Sequence, residues 1–323
     1  MPNTITSITT LLASIPAFFG FVPTESVVML GARGPEGVGV LATRVDLDDA
    51  GVTIDLPYVS AVMEHQGVTH VHVVVVSDGA VTTQHPVLSV FADHFRDNTT
   101  IVVQSLVQVS TLGEAGRLWW DHLTGGVGIT ADYRDSIATA EKAASGEAVL
   151  DSRASMEAQF ARDDTRQAGW LNSATVDAVA AVRDVIAAMH DHRLVDEQLA
   201  AKVAAVIRHR KDRRDAILRT VIYNAVEAAE VFTRCATMLS GQDRADVLTL
   251  SVVAHYCAGR GSVARSALEV AASETSTPDN LLVLTSKALD RGLHPDKFSQ
   301  LLGDLTDDTV ASGLLGGEFP PYE

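Results

Sequence analysis

The stretch richest in side chains able to do chemistry covers residues 16–46, PAFFGFVPTESVVMLGARGPEGVGVLATRVD, in which Ser26, Arg44 and Asp46 stand among prolines and a glycine-rich turn. A hydroxyl, a guanidinium and a carboxylate could serve as nucleophile, anion clamp and base if the chain brings them together. Residues 26–33 and 38–47 are β-rich and flank Gly34-Pro35-Glu36-Gly37, which predicts a hairpin. Alternate strand residues share a face, so Arg44 and Asp46 point the same way, and closing the hairpin sets Ser26 opposite positions 44–46. Arg153, from a later polar segment, completes a candidate ligand or interface cluster of Ser26, Arg44, Asp46 and Arg153. No histidine is tied to Ser26 by sequence and no G-x-S-x-G elbow is present, so pinning the hairpin is the plainer role of the cluster.

Other candidates weigh less. His70 and His72 stand two apart on a predicted strand, a metal-capable spacing with Glu64 and His65 nearby. They sit at the strand's amino end and lack a third well-placed ligand, so no metal is expected. Ser77-Asp78-Gly79 lies at the end where open α/β sheets collect ligands, and it is also an ordinary turn. The glycine-rich segments 31–39 and 125–128 lack the GK[ST] ending and open no helix, so no nucleotide loop or other cofactor is expected. Arg208, Arg210, Lys211, Arg213 and Arg214 form a basic run that could dock an acidic partner. It lacks the interleaved aromatics of an RNA-binding surface. Trp119 and Trp120, adjacent on a predicted strand, must face opposite ways, one toward a core and the other toward an interface or solvent.

The elements that must position these residues fall into two halves. Residues 4–14 predict a helix that stops at Pro16. After the hairpin come a helix over 54–66, a strand over 69–77 whose unbroken apolar run marks burial on both faces, a helix over 86–96, strands over 101–110 and 117–122, and a closing helix over 133–145. Helix and strand alternate, so the first half is an α/β layer with a mixed sheet, the hairpin making part of it antiparallel. Beyond residue 146 the β signal ends and helical periods dominate, including a long seam over 218–239. The expected organisation is an α/β domain over 1–150, a connecting segment over 151–165, a helical domain over 166–312 and a loose tail over 313–323.

Composition narrows the setting. The 323 residues carry 41 acids and 25 bases, a net charge of −16, with 18 acids and 7 bases in residues 1–160. Such acidity repels nucleic acid and anionic membrane, so neither is the expected partner. Cys235 and Cys257 lie in apolar helical context, which suits a reducing cytosol. The N-terminal apolar run has no basic flank and is broken by Pro16 and Pro23, so neither a signal peptide nor a membrane span is expected.

Several segments together resemble one family: LLASIPAFFGFVPTESVVML, TRVDL, GRLWWDHL, GEAVLDSR, AHYCAGRGSVARSALEVA and KALDRGLHP. The chain resembles an actinobacterial family, also met in phages, of unknown function (domain of unknown function, family 4192). Its motif positions fall on Gly20, Phe21, Pro23, Ser26, Arg44, Asp46, Trp119, Trp120, Ser152 and Arg153. Residues 123–128 lack the cysteines often seen in members, which removes any metal or redox role built on them. The resemblance implies an actinobacterial or phage origin and a cytosolic setting, and no reaction.

The expectation is a cytosolic, non-catalytic protein whose helical half binds another protein or itself, with the α/β half as scaffold or small-ligand sensor. A hydrolase or transferase acting at Ser26, Arg44 and Asp46 is the alternative, and nucleic-acid binding through residues 208–214 a weaker one.

Overall fold

Ser7 opens the first helix in the computed structural model, which describes residues 7–35, 39–47 and 54–322. Its Oγ accepts the Thr10 N–H at 3.2 Å and caps α1 (Ile8–Phe19). The predicted stop at Pro16 is corrected: the helix carries Pro16 inside and ends only at Gly20, whose φ of 77° closes it with an N–H bond to the Pro16 carbonyl at 2.9 Å. Proline removes one backbone donor there, and burial of Ala17 and Phe19 beyond it offsets that cost. Part of the helix predicted over 4–14 lies outside the described residues, as do Glu36 and Gly37 of the hairpin turn.

The chain divides into two compact units, Met1–Ser155 and Met156–Glu323. In the first, α1 is followed by β1 (Ser26–Ala32), β2 (Gly39–Asp46), α2 (Leu56–His65), β3 (His70–Val76), α3 (Pro86–Asn98), β4 (Val102–Val109), β5 (Leu118–Asp121), β6 (Val127–Ile129), α4 (Ile137–Ala144) and α5 (Arg153–Glu157). The described strands form a mixed six-stranded sheet in the order β2-β1-β3-β4-β5-β6. β3 and β4 run parallel and are joined through α3, while the other neighbours are antiparallel. One face of the sheet packs Val27, Met29, Val71, Val73 and Val75 against Met63, Leu88, Phe91 and Phe95 of α2 and α3. β3 is buried along almost its whole length, as its continuous valines require. The strand predicted last, over 117–122, is followed by the short β6, whose Val-Gly-Ile is below the length at which alternation can be read.

The chain leading into the connecting segment is stitched to the start of the α/β unit. Leu150 donates its N–H to the Gly20 carbonyl at 2.8 Å, and its own carbonyl accepts the Val22 N–H at 3.0 Å.

The second unit is helical: α6 (Ala178–His190), α7 (Glu197–Ile207), α8 (Lys211–Ile217), α9 (Arg219–Tyr223), α10 (Ala225–Thr237), α11 (Gly241–Cys257), α12 (Gly261–Ser273), α13 (Asn280–Asp290), α14 (Pro295–Leu305) and α15 (Asp308–Leu315). Val182, Val203, Val221, Phe232, Leu248 and Val252 share its core. The single helix predicted over 218–239 is broken at Asn224 (φ −157°, ψ 99°), whose side chain accepts the Glu227 N–H at 3.2 Å and caps α10. An asparagine that bonds its own backbone competes with the helix ladder, and the apolar spacing runs on because both helices face one core. The tail predicted to be loose is packed. Phe319 is 5% exposed and donates its N–H to Ser312 Oγ at 2.8 Å, and the Tyr322 ring stacks on His190 with centroids 4.6 Å apart. Aromatic rings hold a segment that its glycines and prolines alone would leave free.

Candidate functional site

The hairpin register places Ser26 directly opposite Asp46, and Val28 opposite Arg44, so the predicted convergence at the open end occurs. Asp46 Oδ1 pairs with Arg44 Nη2, and Arg153 Nη1 donates to Asp46 Oδ2 at 2.9 Å. One carboxylate therefore lies between two guanidiniums and ties the segment after α4 to the hairpin. The Arg44 guanidinium also lies 5.3 Å from the Phe21 ring centroid, a cation–π contact to the link after α1. Glu25 locks the same end from the other side. Its backbone is held at φ 35°, and its carboxylate accepts Ser77 Oγ at 3.0 Å and the Asp78 N–H at 2.9 Å. The Ser77-Asp78-Gly79 turn at the carboxyl end of β3 is thereby occupied by a residue of the chain itself.

Ser26 is fully buried, and its Oγ has no hydrogen-bond partner among the described residues. A nucleophile needs access and a base, and neither is present at this hydroxyl among the described residues. Both oxygens of Asp46 are engaged by guanidiniums, Oδ1 by Arg44 and Oδ2 by Arg153. A buried hydroxyl without a partner costs about 1–3 kcal/mol. Ser26→Ala is therefore expected to leave stability unchanged or raise it by about 1 kcal/mol, read as the midpoint of chemical denaturation. A large loss of stability would show that the hydroxyl has a bonding role.

Trp119 is buried at 8% exposure and Trp120 is half-buried, on opposite faces as strand geometry requires. Trp119 lies over Gly128 of the paired strand, and its Nε1 donates to Thr9 Oγ1 and to the Ile129 carbonyl, each at 3.2 Å. Thr9 Oγ1 reaches the same carbonyl, also at 3.2 Å, so the β6 edge is partly stoppered from within the unit. Trp120 stacks on His122 at 6.0 Å, and burial holds the His122 pKa below its ordinary value. On the Trp120 face stand Leu118, Val127 and Ile129, exposed 44%, 56% and 60%. Sequence reading singled out the tryptophans and missed these three, because two of them sit on a strand three residues long.

His70 and His72 do not converge on a common ligand position. His70 Nδ1 meets Thr69 Oγ1 at 2.9 Å, while buried His72 meets Ser105 Oγ at 2.8 Å. Burial lowers the His72 pKa. No group of three His, Cys, Asp or Glu side chains suited to hold a metal ion occurs among the described residues.

The basic run is largely turned into internal pairs. Arg208 binds Asp243, with Nε donating to Oδ1 at 2.8 Å, and Arg210 binds Asp212, with Nε donating to Oδ1 at 3.0 Å. Arg214 bridges Asp215 and Asp279, and Lys211 lies 3.8 Å from Asp279. The Arg210 guanidinium holds the Asp212 carboxyl down at about 2. A patch that looks cationic in sequence is thus largely paired with carboxylates, some adjacent and some far along the chain, which leaves little to attract phosphate.

An open concavity of ≈ 360 Å³ in the helical unit is lined by His190, Asp191 and His192 after α6, by Asn224 and Glu227 at the start of α10, and by Tyr322. Sequence reading did not find it, since its walls come from three separated segments. No helix of the described residues is long and apolar enough to cross a membrane.

A mixed α/β sheet unit followed by an all-helical unit, with its polar cluster consumed as a clamp at the hairpin's open end, defines the architectural class. Within that class the chain matches the family described as Domain of unknown function (DUF4192) over residues 9–296, and it belongs to that family. Neither the curated proteins nor the solved structures contain a match.

Proposed function

We propose that the protein is a non-catalytic, self-associating scaffold of the cytosol, whose copies meet through the β5–β6 end of the sheet. The observation that carries this is the exposed apolar ladder of Leu118, Val127 and Ile129 beside Trp120, all on one face. Monomeric proteins rarely leave such a patch uncovered on a strand pair at a sheet edge. The surroundings favour a second copy as the occupant. Arg117 beside Glu114, and Arg134 beside Asp132, flank the ladder in sequence and give its rim both signs of charge. They supply two of only seven bases in residues 1–160. A rim of mixed sign complements itself across a two-fold axis, whereas a partner of one sign meets like charge on part of it. A standard interface buries about 800 Å² per partner, so the four apolar residues would be its centre and the paired charges its rim.

The Arg117–Glu114 and Arg134–Asp132 pairs balance their own charges, so the net acidity of the chain does not by itself oppose this. The free cysteines fit a reducing compartment. Burial pushes the Cys235 thiol up to about 12 and raises Cys257, so neither is a ready thiolate. Tryptophan emission of the purified chain tests the proposal. Dilution should shift it to the red as Trp120 meets water, and a spectrum independent of concentration, in a chain that stays monomeric, would refute it.

A further inference from the structure

The concavity of the helical unit is a second site of different character, and its walls state which charge it accepts. Two carboxylates and two imidazoles line it, and no lysine or arginine does. The hydrogen-bonding capacity of the wall is unevenly used. Asp191 is spent on Arg193, whose N–H and Nε reach Oδ1 at 3.1 and 2.9 Å and whose Nη2 reaches Oδ2 at 2.8 Å. Asn224 is spent on the Glu227 N–H through Oδ1 and on Tyr322 Oη through Nδ2, at 3.2 and 3.3 Å.

Glu227 is different. Its Oε2 lies 2.6 Å from His192 Nε2, yet that nitrogen is off the line of a proper hydrogen bond and has no other partner. Oε1 takes no bond from any described residue. The site therefore offers one carboxylate with acceptor capacity to spare, held by the first turn of a 13-residue helix and walled by the stacked rings of His190 and Tyr322. Its volume falls within the range of about 300–1,000 Å³ usual for small-ligand clefts. A chain of net charge −16 raises the local concentration of cations at such a cleft.

We infer that this concavity binds a small organic cation through a primary ammonium group, which donates to Glu227 while its alkyl portion lies against the His190 and Tyr322 rings. An anion would face the Glu227 carboxylate, and the neighbouring guanidinium of Arg193 is already bound to Asp191. His192 is the internal competitor, a cation whenever it is protonated and already beside the same carboxylate.

Isothermal titration of the full chain with n-butylammonium chloride, and with sodium butyrate as the control of equal size, tests the inference. Butylammonium should bind with millimolar affinity and butyrate should not. Glu227→Gln, nearly the same shape without the charge, should weaken binding by about tenfold or more, since it replaces a charge-assisted hydrogen bond by a neutral one. His192→Gln removes the competitor and should tighten binding. Absence of binding to the wild-type chain, equal binding of butyrate, or undiminished binding to folded Glu227→Gln would overturn the inference, the last by showing that the ammonium only screens the acidic surface. If Glu227→Gln does not fold, His192→Gln decides, with tighter binding in favour and weaker binding against.

Discussion

Replacing Glu274 by alanine is expected to cost the helical unit about 3 kcal/mol, more than removing the arginine it pairs with. Arg244 of α11 is almost fully buried, with Nη1 donating to Glu274 Oε1 at 2.9 Å, Nη2 donating to the Phe160 carbonyl, and Nε without a partner among the described residues. Burial already lowers the Arg244 pKa, the sign of a charge held in place against its desolvation, and the nearby Arg162 adds to the strain. Glu274 keeps partial access to water, so losing Arg244 leaves it hydrated. The reverse change leaves a buried guanidinium with no counter-charge, and breaking a buried pair in this way typically costs about 3–5 kcal/mol. The lower end applies because Glu274 is not itself buried. Urea denaturation of Glu274→Ala, Arg244→Met and the double variant checks this. The double variant should regain most of the loss, because a well-packed apolar pair can replace a buried ion pair at little cost. A Glu274→Ala chain as stable as wild type would mean that Arg244 is not held as described.

Gly128→Val should destabilise the α/β unit by about 3 kcal/mol, at the upper end of what overpacking costs. A Cβ at Gly128 would lie 2.5 Å from Trp119 Cζ2 and 2.7 Å from Cε2, so one of the two must move. The indole is fixed by its bonds to Thr9 and Ile129 and cannot slide without losing them. The same substitution in a Trp119→Leu background should cost much less, and that coupling in the double-mutant cycle identifies the cause. Equal losses in both backgrounds would show that Trp119 does not pack over β6.

The hairpin followed from a glycine–proline turn between two β-rich runs, so Ser26 could be placed opposite positions 44–46 from the sequence alone, and the exact pairing with Asp46 came from the structure. The closure of this cluster could not be read in the same way, because access to Ser26 depends on burial and the second guanidinium on Asp46 comes from Arg153, 107 residues away. The pairing of the basic run was hidden for the same reason, its counter-ions Asp243 and Asp279 lying 35 and 65 residues from the arginines they bind. Helical periodicity revealed the core positions of the second unit and concealed the break at Asn224, since α9 and α10 bury residues of the same spacing. β6 is too short for a periodic signal, and with it the apolar ladder stayed hidden. The α/β-then-helical order, by contrast, was plain, because continuous valine runs stop before residue 146 and apolar residues at spacings of three and four take over.

The central claim, that copies of the chain meet through the β5–β6 face, is tested most directly by multi-angle light scattering on purified wild-type protein and the Ile129→Lys variant. Ile129 is 60% exposed, so lysine there should leave the thermal melt of the isolated chain almost unchanged while placing a charge at the centre of the interface. The wild type is predicted to scatter as twice 34.3 kDa and Ile129→Lys as 34.3 kDa. A wild-type chain that remains at 34.3 kDa across the accessible concentrations, or a variant as dimeric as the wild type, would contradict the claim.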